Sequence, residues 1–239
     1  MTSALAAAGP SAYWYLTRST GAVALVLLTA AVALGVADVR RLSTPHWPRF
    51  VLDSLHRNVS LLAMVFLALH ILTSVLDSFA SISLLDAVVP FAGSYRPFWL
   101  GLGAVAFDLL LAVTITSLLR ARIGYPSWRA IHWFTYASWP IALLHGLGTG
   151  SDVKSAWLLI LSIVCLIVVL ATVLLRAIHG WPENLRTRSA VLGGAAAFSL
   201  FLLLWLPGGP LGSDWARRSG TPTALLGHSA ASSTGQARR

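Results

Sequence analysis

The run AWLLILSIVCLIVVLATVLL, residues 156 to 175, holds twenty residues without one charge. A hydrocarbon core about 30 Å thick is crossed by about 20 helical residues at 1.5 Å each. Lipid offers backbone groups no hydrogen-bond partners, so such a run must satisfy them within itself, as a helix. Similar apolar runs recur along the chain and predict spans at Tyr15–Val36, Val51–Leu76, Phe98–Leu119, Trp128–Leu147, Ser155–Ile178 and Ser189–Leu206. The expected fold is an all-α integral membrane protein, a bundle of six transmembrane helices. Composition agrees: 10% of residues are charged, against about 25% in a soluble domain.

Net charge is +9, and every basic residue but Lys154 is arginine. The arginines stand between apolar runs and form no single patch, which argues against a nucleic-acid partner and for contact with lipid headgroups. Arg40, Arg41, Arg49, Arg120, Arg122, Arg129, Arg176, Arg186 and Arg188 follow the first, third and fifth predicted spans. Arg18, Arg96 and Lys154 lie on the opposite side, joined by Arg217, Arg218, Arg238 and Arg239 of the tail, which reduce the asymmetry but are mostly distant from a span end. The positive-inside rule then places the first set in the cytoplasm and both termini outside a cell membrane. The N-terminus lacks a basic region ahead of its apolar part and does not read as a cleaved signal peptide. The single cysteine, Cys165, reads as a small buried apolar residue. GLGAVA at 101–106 fits a dinucleotide fingerprint, but no strand precedes it, so its small residues read as helix-packing positions.

Four of the seven histidines fall inside predicted spans. HRNVSLLAMVFLALH places His56 and His70 fourteen residues apart on the second span. HWFTYASWPIALLH places His132 and His145 thirteen apart on the fourth. Fourteen residues rise about 21 Å and complete nearly four turns, so His56 and His70 share a face. Thirteen leave His132 and His145 about 140° apart on an ideal helix; Pro140 lies between them and can kink or rewind it. Both spans run from cytoplasm to outside, so His56 matches His132 in depth and His70 matches His145. Two imidazoles per layer, with no thiolate or carboxylate, suit the axial positions of a six-coordinate haem iron. Two layers would form an electron path across the bilayer. Buried histidines bonded to backbone or hydroxyls, and a transported metal ion, stand as rival readings; zinc or copper transport sites usually add carboxylate or sulfur ligands.

HRNVSLLAMVFLALH and RAIHWFTYASWPIALLH resemble the ferric reductase-like transmembrane domain, a superfamily that includes ferric-chelate reductases, NADPH oxidases and the haem-bearing membrane partner of periplasmic methionine sulfoxide reductase. WYLTRSTGAVALVLL, SLLRARIGYPSWR and LLHGLGTGSD are also similar to members of it. The resemblance covers roughly Trp14 to Ile178. It implies two b-type haems, the inner ligated by His56 and His132 and the outer by His70 and His145. It divides the chain into an outer N-terminal segment (1–14), the haem-binding domain (15–178), a cytoplasmic loop with the sixth span (179–206), and an outer tail (207–239) whose Gly, Ser, Thr, Ala and Pro content predicts disorder.

Arg57 and Arg129 lie near the inner histidines and Arg18 near the outer end. Arginine can bind a haem propionate by paired hydrogen bonds; ordinary interfacial arginine is the alternative for all three. Trp133, Tyr136 and Trp139 read as haem-packing, core or interfacial aromatics. Asp108, near the middle of the third span, reads as a protonated or hydroxyl-paired carboxyl or as a proton relay. His46, His179 and His228 read as solvated loop or tail residues.

The chain departs from many relatives in that RAIHGWPENLRTR and a further span follow helix five, where a flavin and nicotinamide half would continue. The expected function is transmembrane electron transfer by the membrane component of such an oxidoreductase. Its donor would be a separate flavoprotein or a quinol, and its acceptor an extracytoplasmic protein or ferric chelate. A quinol-linked haem subunit serving a periplasmic reductase or flavoprotein, and a metal-ion transporter or haem-free scaffold, are the alternatives.

Overall fold

A computed structural model describes residues 11–39, 49–150, 152–178 and 184–226. The ordered elements are all helices: α1 (Ala12–Val39), α2 (Arg49–Leu76), α3 (Leu84–Val88), α4 (Pro97–Leu118), α5 (Arg120–Ile123), α6 (Tyr125–His132), α7 (Thr135–Thr149), α8 (Ala156–Ile178), α9 (Leu185–Gly208) and α10 (Trp215–Arg218). No strand occurs among the described residues.

Five helices, α1, α2, α4, α8 and α9, are long and apolar enough to cross a membrane. The expected count of six is therefore not reached by unbroken helices. The predicted fourth span is divided at Trp133–Phe134 into α6 and α7. At the break, Phe134 N–H donates to Ile131, Tyr136 N–H to Trp133 and Ala137 N–H to Phe134, all at three-residue spacing. The Thr135 hydroxyl takes the His132 carbonyl at 2.7 Å, the bond the Tyr136 N–H would make in a continuous helix. A turn closed every three residues advances about 20° more per residue than an α-helix. This overwinding makes up part of the angular misfit between His132 and His145. Pro140 sits inside α7, past the break.

The helix α1 is central. It packs along α2 and also meets α7 and α8, while α4 packs on α7 and touches α2, α3 and α6. Trp139, Leu143, Leu147, Val153, Cys165 and Leu202 form the buried core, with Leu25, Leu28 and Val32 of α1 against it. Outside it, α8 turns Ile160, Ile163, Val164 and Ile167 outward, the inverted pattern of a lipid-facing surface. The hydroxyls of Thr20, Thr29, Thr73, Ser138 and Ser162 bond carbonyls three or four residues back on their own helices. That is how small polar side chains are accommodated inside a bundle.

Two short elements cover one end. In α3, Ser83 caps the Asp86 N–H and the Asp86 carboxylate accepts from the Ser83 N–H at 2.8 Å, a reciprocal capping box. Residues 207–226, expected to belong to a disordered tail, instead finish α9, turn and form α10. Trp205 and Trp215 supply the aromatic surface that holds them: each packs on Trp99 of α4, at 4.9 and 5.3 Å between ring centres. His46, His179 and His228 lie outside the described residues.

Cys165 is buried in the core. A maleimide reagent is expected to leave the folded protein unlabelled and to modify this thiol after denaturation. Labelling at equal rates in both states would place Cys165 at an accessible surface.

Candidate functional site

The break at Trp133–Phe134 and the fourteen-residue register of α2 bring four histidines into two facing pairs. The rings of His56 and His132 stand 6.3 Å apart between centres, inclined at 68°. Those of His70 and His145 stand 6.2 Å apart, inclined at 83°. His70 and His145 share a cavity between α2, α4 and α7 whose other walls include Leu67, Ile71, Leu100 and Phe107.

Three rings are held by the same device. His70 Nδ1 lies 2.8 Å from the Thr17 carbonyl, His56 Nδ1 3.0 Å from Ala31, and His145 Nδ1 2.9 Å from Trp99. Carbonyls only accept, so each Nδ1 carries the proton and each Nε2 keeps its lone pair. Four residues after each carbonyl stands a glycine: Gly21, Gly35 and Gly103. A Cβ there would lie 3.0 Å from His70, 3.2 Å from His56 and 2.5 Å from His145. The cause is helical geometry. Each Cα–Cβ bond tilts toward the helix N-terminus, so a side chain at i+4 roofs the carbonyl of residue i. Glycine removes the roof and lets an imidazole from the next helix reach the oxygen. By sequence, GLGAVA reads as packing residues only. The available signal was that Gly21 and Gly35 repeat the fourteen-residue interval of His56 and His70 on the adjacent helix.

His132 differs. Its Nδ1 is buried without a hydrogen-bond partner among the described residues. Trp128 packs on it at 4.8 Å and is itself fixed by a 3.1 Å bond from Nε1 to the Ser117 hydroxyl and by Arg120 over its ring.

The other candidates fall in different places. Arg57 and Arg129 are exposed on α2 and α6, within one and three residues of His56 and His132. Arg18 is engaged elsewhere, 2.6 Å from the Asp152 carboxylate and over the Trp14 ring. Asp108 lines neither principal cavity, and no hydrogen bond or ion pair joins it to another described residue. Trp133, Tyr136 and Trp139 wall a separate cavity of about 290 Å³ between α1, α7, α8 and α9, where Arg176 donates to the Tyr136 hydroxyl at 2.8 Å.

The donor set can be tested against a metal held between two imidazoles. Two metal–nitrogen bonds of about 2.0 Å, with roughly 1.1 Å from each Nε2 to its ring centre, require a centre-to-centre distance near 6.2 Å. Both pairs meet that distance. Among the described residues no group of three or more His, Cys, Asp or Glu side chains comes together. Each pair is thus spaced for one metal atom between two imidazoles, and a haem would bring the remaining ligands of its iron with it.

The protein-methionine-sulfoxide reductase heme-binding subunit MsrQ of Herminiimonas arsenicoxydans is 33% identical over 135 residues, which cover 55% of this chain and 56% of that protein. The chain thus matches little more than half the length of this relative. No solved structure matches. The family model described as the ferric reductase like transmembrane component matches residues 16–143, which include His56, His70 and His132; more than half of the chain is covered, and the chain belongs to that family.

Proposed function

We propose that this protein carries electrons across a cell membrane through two b-type haems, held by His56 with His132 and by His70 with His145. The observation that supports it most is the pair of facing histidine couples at 6.2 and 6.3 Å. The fourteen-residue step from His56 to His70 separates the layers by about 21 Å along α2. Bound haem supplies one-electron chemistry at a six-coordinate iron. The protein's part is to hold and tune it.

His56, His70 and His145 present Nε2 because their Nδ1 protons are committed to Ala31, Thr17 and Trp99. A ring that donates to a carbonyl is also a stronger metal ligand. His132 is steadied by Trp128. In this reading Arg57 and Arg129 reach propionates at the inner side, whereas Arg18 is already committed to Asp152. In the same reading the α6–α7 pair serves as a sixth crossing and both termini lie outside, which the positive-inside rule supports. The donor is a separate flavoprotein or a quinol. The acceptor is an extracytoplasmic protein or a ferric chelate; the relative named as a reductase subunit favours a partner reductase. A proton-relay role for Asp108 has no supporting contact.

Purified protein is expected to show reduced-minus-oxidised haem b bands with two haems per chain. His70→Ala and His145→Ala should each lower the content to one. A haem-free protein, or unchanged content in these variants, would remove the reading. Gly103→Val and Gly21→Val place a branched side chain against the outer ligands and are expected to cost outer-haem occupancy while sparing the inner haem. Gly193→Ala, where a Cβ meets nothing within 4 Å, should retain both; equal loss in all three variants would deny the glycines a specific role.

A further inference from the structure

The end of α7 that carries His145 is fastened by an arginine from another helix. Arg96 caps α4 from the left-handed region, at φ 42°, and is only 4% exposed. Its Nη1 donates to the Gly148 and Thr149 carbonyls at 3.1 and 3.0 Å. These are among the last carbonyls of α7, which have no partners within their own helix, and a cation there also complements the helix dipole. The other side of the same residue grips the C-terminal segment: Nε donates to the Thr221 hydroxyl at 2.9 Å, and the backbone N–H to the Gly220 carbonyl at 3.1 Å.

A second connection runs parallel to the first. Trp215 Nε1 also donates to the Gly148 carbonyl, at 3.1 Å, and the Trp215 ring packs on Trp99. Gly148 is pressed so closely on Trp99 that a Cβ would lie 2.2 Å from its ring. Trp99 is the residue whose carbonyl accepts from His145 Nδ1, and the Thr149 hydroxyl bonds the His145 carbonyl at 2.7 Å. The C-terminal segment therefore touches both the backbone that carries the ligand and the residue that orients its ring. This segment lies beyond the residues matched by the family.

We propose that residues 209–226 form a cap on the His70–His145 layer, locked by Arg96, and that Arg96 is a positioning residue that sets the orientation of His145 and so the reduction potential of the outer haem. The proposal rests on the haem reading above for its electronic consequence, and on the contacts alone for the cap. Partners one shell beyond a metal ligand fix its plane and basicity, and burial of the site sets how strongly the charged ferric state is disfavoured. Loosening the lock admits water, which favours the ferric state and lowers the potential.

Two measurements on the full chain separate the parts. Trypsin cleavage after Arg217 and Arg218 is expected to be slow in the natural protein and at least tenfold faster in Arg96→Gln, with or without haem. Equal rates would overturn the cap. In the haem-loaded protein, a redox titration followed by electron paramagnetic resonance should show the outer haem's potential lowered and its ferric signal shifted in Arg96→Gln. The inner haem should be unchanged, and Arg96→Lys, which keeps one charged donor, should restore part of the shift. Thr221→Val and Trp215→Phe each remove one contact and should move the same signal by less, which keeps the test open if Arg96→Gln fails to assemble. Unchanged outer signals, or equal shifts in both haems, would overturn the positioning role. Absence of haem from the natural protein would overturn the electron-transfer reading and leave the trypsin result to decide the cap.

Discussion

The structure depends on one hydrogen bond made three times: an imidazole Nδ1–H to a backbone carbonyl of the next helix, bared by a glycine four residues on. It ties α2 to α1 twice and α7 to α4 once. In an apolar interior, hydrophobic burial contributes little to helix association, and close packing with interhelical hydrogen bonds must do it. The bond that joins the helices also selects the histidine tautomer and points Nε2 into the gap. Helix association and the presentation of the imidazole nitrogens therefore have the same cause.

The two layers are not equivalent. Fourteen residues beyond Trp99 and Gly103, the register of α4 arrives at Val113 and Ser117. Ser117 keeps its Cβ, and the Val113 carbonyl accepts from the Thr116 hydroxyl at 3.1 Å, so no bare carbonyl is offered to His132. Trp128, hydrogen-bonded to Ser117, packs on the ring in its place. The His70–His145 layer has a complete set of carbonyl anchors, with the C-terminal segment packed against Trp99. The His56–His132 layer has one anchored ring and one held by stacking, near the exposed arginines Arg57 and Arg129.

The α2 register was legible in the sequence because fourteen residues close almost four whole turns, whatever surrounds the helix. The common facing of His132 and His145 was not derivable from periodicity. Part of it comes from the local overwinding at Trp133–Phe134, where the Thr135 hydroxyl holds the His132 carbonyl at 2.7 Å, ahead of the kink expected at Pro140. The glycine seats were written in the sequence, but their meaning appears only once α1 is known to run beside α2. Within the C-terminal segment, residues 209–226 have the Gly, Ser and Pro content that reads as disorder, while Trp215 and Thr221 supply the few contacts that fix them on Trp99 and Arg96.

The most direct test of a two-haem path is vectorial electron transfer in sealed vesicles. Protein is reconstituted with an impermeant ferric acceptor trapped inside and an impermeant reductant added outside. The account predicts reduction of the trapped acceptor by the natural protein, and its loss in both His56→Ala and His70→Ala, since each breaks one layer of the path. Trapped acceptor that stays oxidised although two haems are bound, or transfer that survives loss of either layer, would contradict it.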